Sequence, residues 1–238
     1  MLAETNGMLR QTNLTNESEQ YLLKREELRR AEMELRNQRE HVAELRRQLP
    51  EGPIVEDYIF EEGPLKLDDG DMPIRPVRLG QLFSGPGRSL IIYQFMYGKK
   101  QTTPCPMCTA WIDCFNGIAH HLAPGLDLAI VAAADLAALR SHARTRGWNR
   151  LRLLSAHSNT FKYDFGSEDK AGNQDSAISV FSRDTDGAIR HFYTGHPWLA
   201  RDMKERGIDE LNPIWNLMDL TRQGRGTFYA KLEYPETA

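Results

Sequence analysis

A chain of 238 residues that is 40% hydrophobic and 26% charged, with a net charge of −3, can bury a core and has no electrostatic bias toward nucleic acid or an acidic membrane surface. Three cysteines are too few for the disulfide framework of a small secreted protein. The longest apolar run, residues 126–139, is broken by Asp127 and Asp135 and is shorter than the roughly 20 residues a membrane-spanning helix needs. No secretory signal pattern is visible at the N-terminus, so the expected location is the cytoplasm, with neither nucleic acid nor membrane among the expected partners.

Residues 1–15 are polar and read as a disordered tail. Asn16 and Glu19 form a capping pair, no Gly or Pro follows until Pro50, and Tyr21, Leu28, Leu35, Val42 and Leu49 recur every seven residues with Ala31 and Leu45 between them. That pattern predicts one long amphipathic helix over residues 16–50. Lys24 and Gln38 at the complementary positions make the seam too polar for an extended coiled coil, so the face is expected to pack on the protein's own body or on a dimer mate.

Pro50, Gly52 and Pro53 stop the helix, and residues 54–226 read as one domain followed by a tail, 227–238. Residues 54–60 alternate weakly, and 61–76 are rich in Gly, Pro and Asp. A short helical turn at Val77–Phe83 precedes a fully buried strand, Ser89–Tyr97. A helix over Pro106–Leu122, a strand over Leu126–Ala133 and a helix over Asp135–Arg146 follow, the last with Leu136, Leu139 and Ala143 on one face. After an irregular 155–175, strands at Ala177–Phe181 and Ile189–Tyr193 flank an Asp-Gly turn, and a final helix is expected over 208–220. Strand, helix, strand, helix, hairpin and closing helix describe an α/β fold with one mixed sheet flanked by helices, in thioredoxin order.

The chemistry concentrates at Cys105-Pro106-Met107-Cys108. With Pro106 at the first helical position, where its missing N–H costs nothing, Cys105 becomes the N-cap in the positive end of the helix dipole. A thiol there is lowered from about 8.5 toward about 3.5 to 7.5 and becomes a nucleophile. Cys108 shares a stripe with Ile112, Phe115, Ala119 and Leu122, so it faces the core as a resolving cysteine would. A zinc site would need more ligands: Cys114, His120 and His121 are near, but neither a second CxxC nor a His-x₃-His pair exists, so no metal or other cofactor is expected. Gly85-Pro86-Gly87 lacks the spacing of a phosphate cradle, and no GxSxG elbow surrounds a serine.

Three other groups bear on the pair. Trp111 lies on the same helix and either flanks the thiols or packs. Tyr163 and Asp164, with Phe161 and Phe165, fall in a segment expected near the C-terminal edge of the sheet. There Asp164 either moves protons for the buried thiol or caps the turn before Gly166, while the aromatics plug the core. His120 and His121 suit the negative end of the helix.

The runs VRLGQLFSGPGRSLIIYQFMYG, PCPMCTAWIDCFNG, FKYDFG, ISVFSRDTDGAIRHFYTG and NLMDLTRQGR, preceded by AEMELRNQREHVAELRRQLPEGPIVEDYIFEEG, resemble the thioredoxin-like family known as domain of unknown function 899, over about residues 17–226. The resemblance implies a thioredoxin-like mixed sheet and a thiol oxidoreductase. Asp175-Ser176-Ala177 stands where thioredoxins place a cis-proline before the hairpin, which argues against general protein-disulfide reduction. Thr102, three residues before Cys105, is similar to the peroxiredoxin pattern, but Gly98 replaces the proline of that pattern. The expected enzyme therefore uses Cys105 as nucleophile and Cys108 as resolving thiol, with Thr102, Pro106, Trp111, Tyr163 and Asp164 contacting substrate. Its expected partners are a disulfide or oxidised-sulfur substrate, a thiol reductant and a second copy through the N-terminal helix. A non-catalytic binding or assembly module and a thiol peroxidase are the alternatives.

Overall fold

A computed structural model describes residues 3–5, 8–200, 202–203 and 207–233, which divide into two units, Met1–Pro50 and Glu51–Ala238. In the first, β1 (Ala3–Thr5) and β2 (Met8–Arg10) pair antiparallel, within the stretch read from sequence as a tail. Helix α1 spans Glu19–Arg47. Its cap is Ser18 rather than Asn16: the Ser18 hydroxyl accepts the Tyr21 N–H at 3.2 Å, so the helix starts later than the Asn16–Glu19 pair predicts. None of the α1 side chains is buried, and ion pairs lie along its surface, among them Glu26 with Arg29 at 2.8 Å and Lys24 with Glu27 at 2.7 Å. Pairs of this kind contribute about 0.2–0.5 kcal/mol each.

The second unit is built on a seven-stranded sheet. In chain order its elements are β3 (Ile59–Glu62), β4 (Arg75–Arg78), β5 (Ser89–Phe95), α2 (Pro106–Leu122), β6 (Leu126–Ala132), α3 (Leu136–Arg146), β7 (Arg152–Ser155), α4 (Phe161–Asp164), β8 (Ala177–Arg183), β9 (Ile189–Gly195) and α5 (Pro213–Met218). The strands lie in the order β4-β3-β7-β6-β5-β8-β9. β5, β6 and β7 are parallel neighbours, as strands joined by crossover helices must be, and the remaining pairs are antiparallel. This is a thioredoxin-like mixed sheet flanked by helices. Among the described residues, no helix is long and apolar enough to cross a membrane.

Four elements depart from the sequence pattern. β7 is four residues long and begins at Arg152, too short to show a period, and β3 and β4 arise from the weakly alternating and turn-rich stretch. The closing helix expected at 208–220 is instead a single turn at Asp209–Leu211 followed by α5. Pro213 causes the break, because the residue before a proline is driven out of helical geometry, and Asn212 caps the new start by accepting the Ile214 N–H at 2.9 Å.

Alternation along the central strands divides the core between the two faces of the sheet. Tyr93, Phe95, Ile130 and Leu153 point toward α2 and α3, where Trp111, Ile112, Phe115, Leu139 and Trp148 cover them. Leu90, Ile92, Ala129, Val131 and Leu154 point the other way. On that second face Leu79, Leu82 and Phe83 supply part of the cover, and Phe161 of α4 packs among Tyr58, Phe60 and Phe165 beside them. The Phe161 ring lies 5.1 Å from Phe60, 5.2 Å from Tyr58 and 4.7 Å from Phe165. Trp148 Nε1 donates to Asp113 at 2.7 Å, and Arg146 pairs with the same carboxylate, which joins α2 to the end of α3.

Phe161 is therefore the plug that fixes α4. Phe161→Ala is expected to destabilise the protein by about 3–5 kcal/mol, read as a lower urea midpoint with an unchanged slope. A shift of under about 1 kcal/mol would mean that α4 is not anchored by this ring.

Candidate active site

The last residues of β5 and the first turn of α2 place the two cysteines. The Cys105 N–H donates to Met96 O at 3.1 Å, tying the loop back to the strand end. Cys105 is the N-cap of α2 with Pro106 at the first helical position, and its sulfur accepts the Cys108 N–H at 3.5 Å. Thr109 closes the turn from the other side, its hydroxyl and its N–H both donating to Cys105 O at 3.0 Å. Both cysteines are free thiols, Cys105 half-buried and Cys108 buried.

Their electrostatics diverge. A hydrogen bond from the Cys108 thiol, aided by the backbone N–H groups of Cys108 and Met107 and by the Tyr229 hydroxyl, outweighs burial and lowers Cys105 to about 6. The same bond, with burial and the charge of Cys105, pushes Cys108 well above the usual thiol range. Near neutral pH the outer sulfur is a thiolate and the inner one a thiol, the division of labour that thiol exchange requires.

Around the pair lies a cleft of about 530 Å³ lined by both cysteines, Met96, Trp111, Trp198, Trp215 and Tyr229, with Glu168, Gln174, Asp175 and Ser176 along one side. Tyr93, 1% exposed, stacks parallel to Trp111 at 6.2 Å. Its hydroxyl meets the Cys108 thiol and the Ser176 side chain, and burial raises it far above the usual phenol value. Of residues 227–233, read from sequence as tail, Tyr229 reaches this site and touches Cys105, while Ala230 is buried and Arg146 donates to Leu232 O at 2.7 Å.

The expected substrate residues separate. Trp111 lines the cleft and is 4% exposed. Pro106 serves the helix start and is not part of the lining. Thr102 is exposed and outside the cleft. Tyr163 is 43% exposed and also away from it. Asp164 accepts the Tyr58 hydroxyl at 2.8 Å and the Thr160 hydroxyl at 2.5 Å, so its carboxylate is directed to the second face of the sheet. Cys114 donates weakly to Asn212 at 3.8 Å, and His120 and His121 stand together at the end of α2. Among the described residues, no three His, Cys, Asp or Glu side chains are grouped to hold a metal ion.

Sequence reading missed Tyr93, Tyr229 and Lys162. Lys162, between Phe161 and Tyr163, is 1% exposed and is lowered to about 7 by burial, against the opposing pull of Cys108, Glu168 and Asp175. The signal for it was a lysine directly beside the core ring Phe161 in the run Phe-Lys-Tyr-Asp-Phe.

The sequence matches, over residues 10–236, the family described as "Bacterial protein of unknown function (DUF899)". No curated protein matches it. Among solved structures, it is similar to the reduced 2-Cys peroxiredoxin of Plasmodium vivax, at 13% identity over 71% of this chain and 96% of that one, with a TM-score of 0.46. The AhpC of Enterococcus faecalis is 14% identical over 70% of this chain and 93% of its own, TM-score 0.44. A peroxiredoxin-like protein of Aquifex aeolicus is 16% identical over 71% and 88%, TM-score 0.44.

Cys105 and Lys162 both release their protons more readily folded than unfolded, so in the window from about 7 to about 9 the unfolded chain holds protons that the folded one does not. Stability contributed by these groups is complete above their unfolded values and is lost as pH falls toward about 7 for Lys162 and about 6 for Cys105. Each contributes a slope of at most about 1.4 kcal/mol per pH unit. Urea unfolding of the reduced protein should give a midpoint that rises with pH from neutral toward pH ~9; a flat or falling midpoint would contradict the assignment.

Proposed function

The chain belongs to the DUF899 family of bacterial proteins of unknown function, and we propose that its activity is thiol–disulfide exchange at Cys105 and Cys108. The observation that carries this reading is the placement of two free thiols one helical turn apart, Cys105 half-buried at the cap of α2 with its sulfur accepting the Cys108 N–H at 3.5 Å, and Cys108 buried behind it; the lowered Cys105 and raised Cys108 thiols accord with that placement. Cys105 thiolate attacks one sulfur of a disulfide, a mixed disulfide forms, and the other sulfur leaves as a thiolate. Cys108 then loses its proton and attacks Cys105. The internal disulfide closes, the second substrate thiolate departs, and the substrate has gained the two electrons the cysteines lost.

A thiol reductant returns the pair to its starting state. The aromatic walls of the cleft suit the apolar body of an organic disulfide. Thr102 lies outside the cleft, so the geometry favours disulfide exchange over peroxide reduction.

With a small aromatic disulfide as substrate and dithiothreitol as reductant, Cys105→Ser should lose turnover by at least about a hundredfold. Cys108→Ser should accumulate a mixed disulfide through Cys105, identified by peptide mass spectrometry. Adducts through Cys108 or Cys114 would overturn the roles assigned, and unchanged turnover in Cys105→Ser would favour a non-catalytic binding module.

A further inference from the structure

A lysine that is 1% exposed is an expensive way to fill space, because its charged form loses hydration that an apolar side chain never had. Lys162 Nζ donates to Phe95 O at 2.9 Å and to Asp175 O at 3.4 Å, and among the described residues no carboxylate lies within ion-pair distance of it. The Phe95 carbonyl belongs to the peptide unit whose N–H, on Met96, faces the Cys108 sulfur. One peptide unit thus joins the buried amine to the buried thiol. The titratable groups acting on Lys162 are Cys108 from α2 and Glu168 and Asp175 from the segment before β8; those acting on Cys108 include Cys105 and the Tyr93 hydroxyl.

We infer that Lys162 is a positioning residue for the resolving step, sharing a single labile proton with Cys108 so that the buried thiol becomes a nucleophile near neutral pH. This rests on the disulfide exchange proposed above. Loss of one proton from the pair leaves either amine with thiol or ammonium with thiolate, two forms of equal charge that interconvert. In the second form Cys108 Sγ attacks Cys105 Sγ, the new S–S bond forms, and the mixed disulfide breaks with its electron pair on the departing substrate sulfur. The ammonium of Lys162 then releases its proton to that thiolate or to water. Because burial brings Lys162 down to about 7, resolution follows the titration of the pair and not that of an isolated buried thiol.

The test loads Cys105 with thionitrobenzoate in a Cys114→Ser background and follows its release by absorbance across pH. Release should rise through an inflection near pH ~7 and level off. In Lys162→Met the inflection should move up by at least about one pH unit and release at neutral pH should fall about tenfold, whereas alkylation of Cys105 should change less than about twofold. Superimposable profiles would overturn the inference while leaving disulfide exchange intact. Absence of release at any pH in the parent protein would overturn both.

Should Lys162→Met fail to fold, the ¹³Cε resonance of Lys162 in the parent protein decides. Its titration midpoint should fall when the Cys105–Cys108 disulfide forms, since Cys108 no longer raises it, and an unmoved midpoint overturns the inference.

Discussion

The start of α2 governs this site. A helix leaves its first backbone N–H groups without internal acceptors, and the sequence puts a proline at the first position and a cysteine sulfur at the cap. The Cys108 N–H has the Cys105 sulfur as its acceptor, so the donor that would otherwise go unmet stabilises negative charge on that sulfur. The Cys105 N–H bonded to Met96 O holds this cap against the end of β5, and the parallel pairing of β5 with β6 fixes that end in the centre of the sheet. Moving the cap would therefore require moving a strand that is hydrogen-bonded on both sides, to β6 and to β8.

A second arrangement reaches the same point from the opposite face of the sheet. Gln94 on β5 is buried, donates to Ser179 at 2.9 Å and accepts from Ser167 at 2.5 Å. Ser167 in turn donates its N–H to Lys162 O at 2.8 Å. Phe161 fills the aromatic cluster beside it, and the four-residue α4 therefore carries one ring into the core, one amine toward the thiols and one carboxylate toward Tyr58. A bonded polar network fixes its members, and here one member is the lysine whose amine donates to the carbonyls of Phe95 and Asp175, tying the end of β5 to the segment before β8.

What the sequence made legible was whatever depends on period and punctuation. The boundaries of α2 could be read because Pro106 opens it and its apolar stripe runs unbroken to Leu122, and β5 and β6 could be read because runs of Leu, Ile, Val and Ala fit strands buried on both faces. The reading of Cys105 as N-cap and of Cys108 as core-facing follows from the same helix geometry. β7 was invisible because four residues carry no period, and the closing helix was overextended because its stripe continued across Pro213. Tyr93, Lys162 and Tyr229 could not be found from spacing, since they come from a strand, a short helix and the C-terminal segment that approach Cys105 and Cys108 only through long-range packing. Asp164 shows the converse: its position near the sheet edge was legible, but the direction of its carboxylate is set by Tyr58, 106 residues away.

Thiol–disulfide exchange at this site requires that Cys105 and Cys108 form a reversible redox couple. Equilibrating the protein in graded dithiothreitol buffers, trapping free thiols by alkylation and reading the peptides by mass spectrometry measures it directly. The expected result is a single two-electron transition of a Cys105–Cys108 disulfide with a midpoint between about −120 and −270 mV, the span of thiol oxidoreductases. Failure of that disulfide to form at any poise would contradict the account.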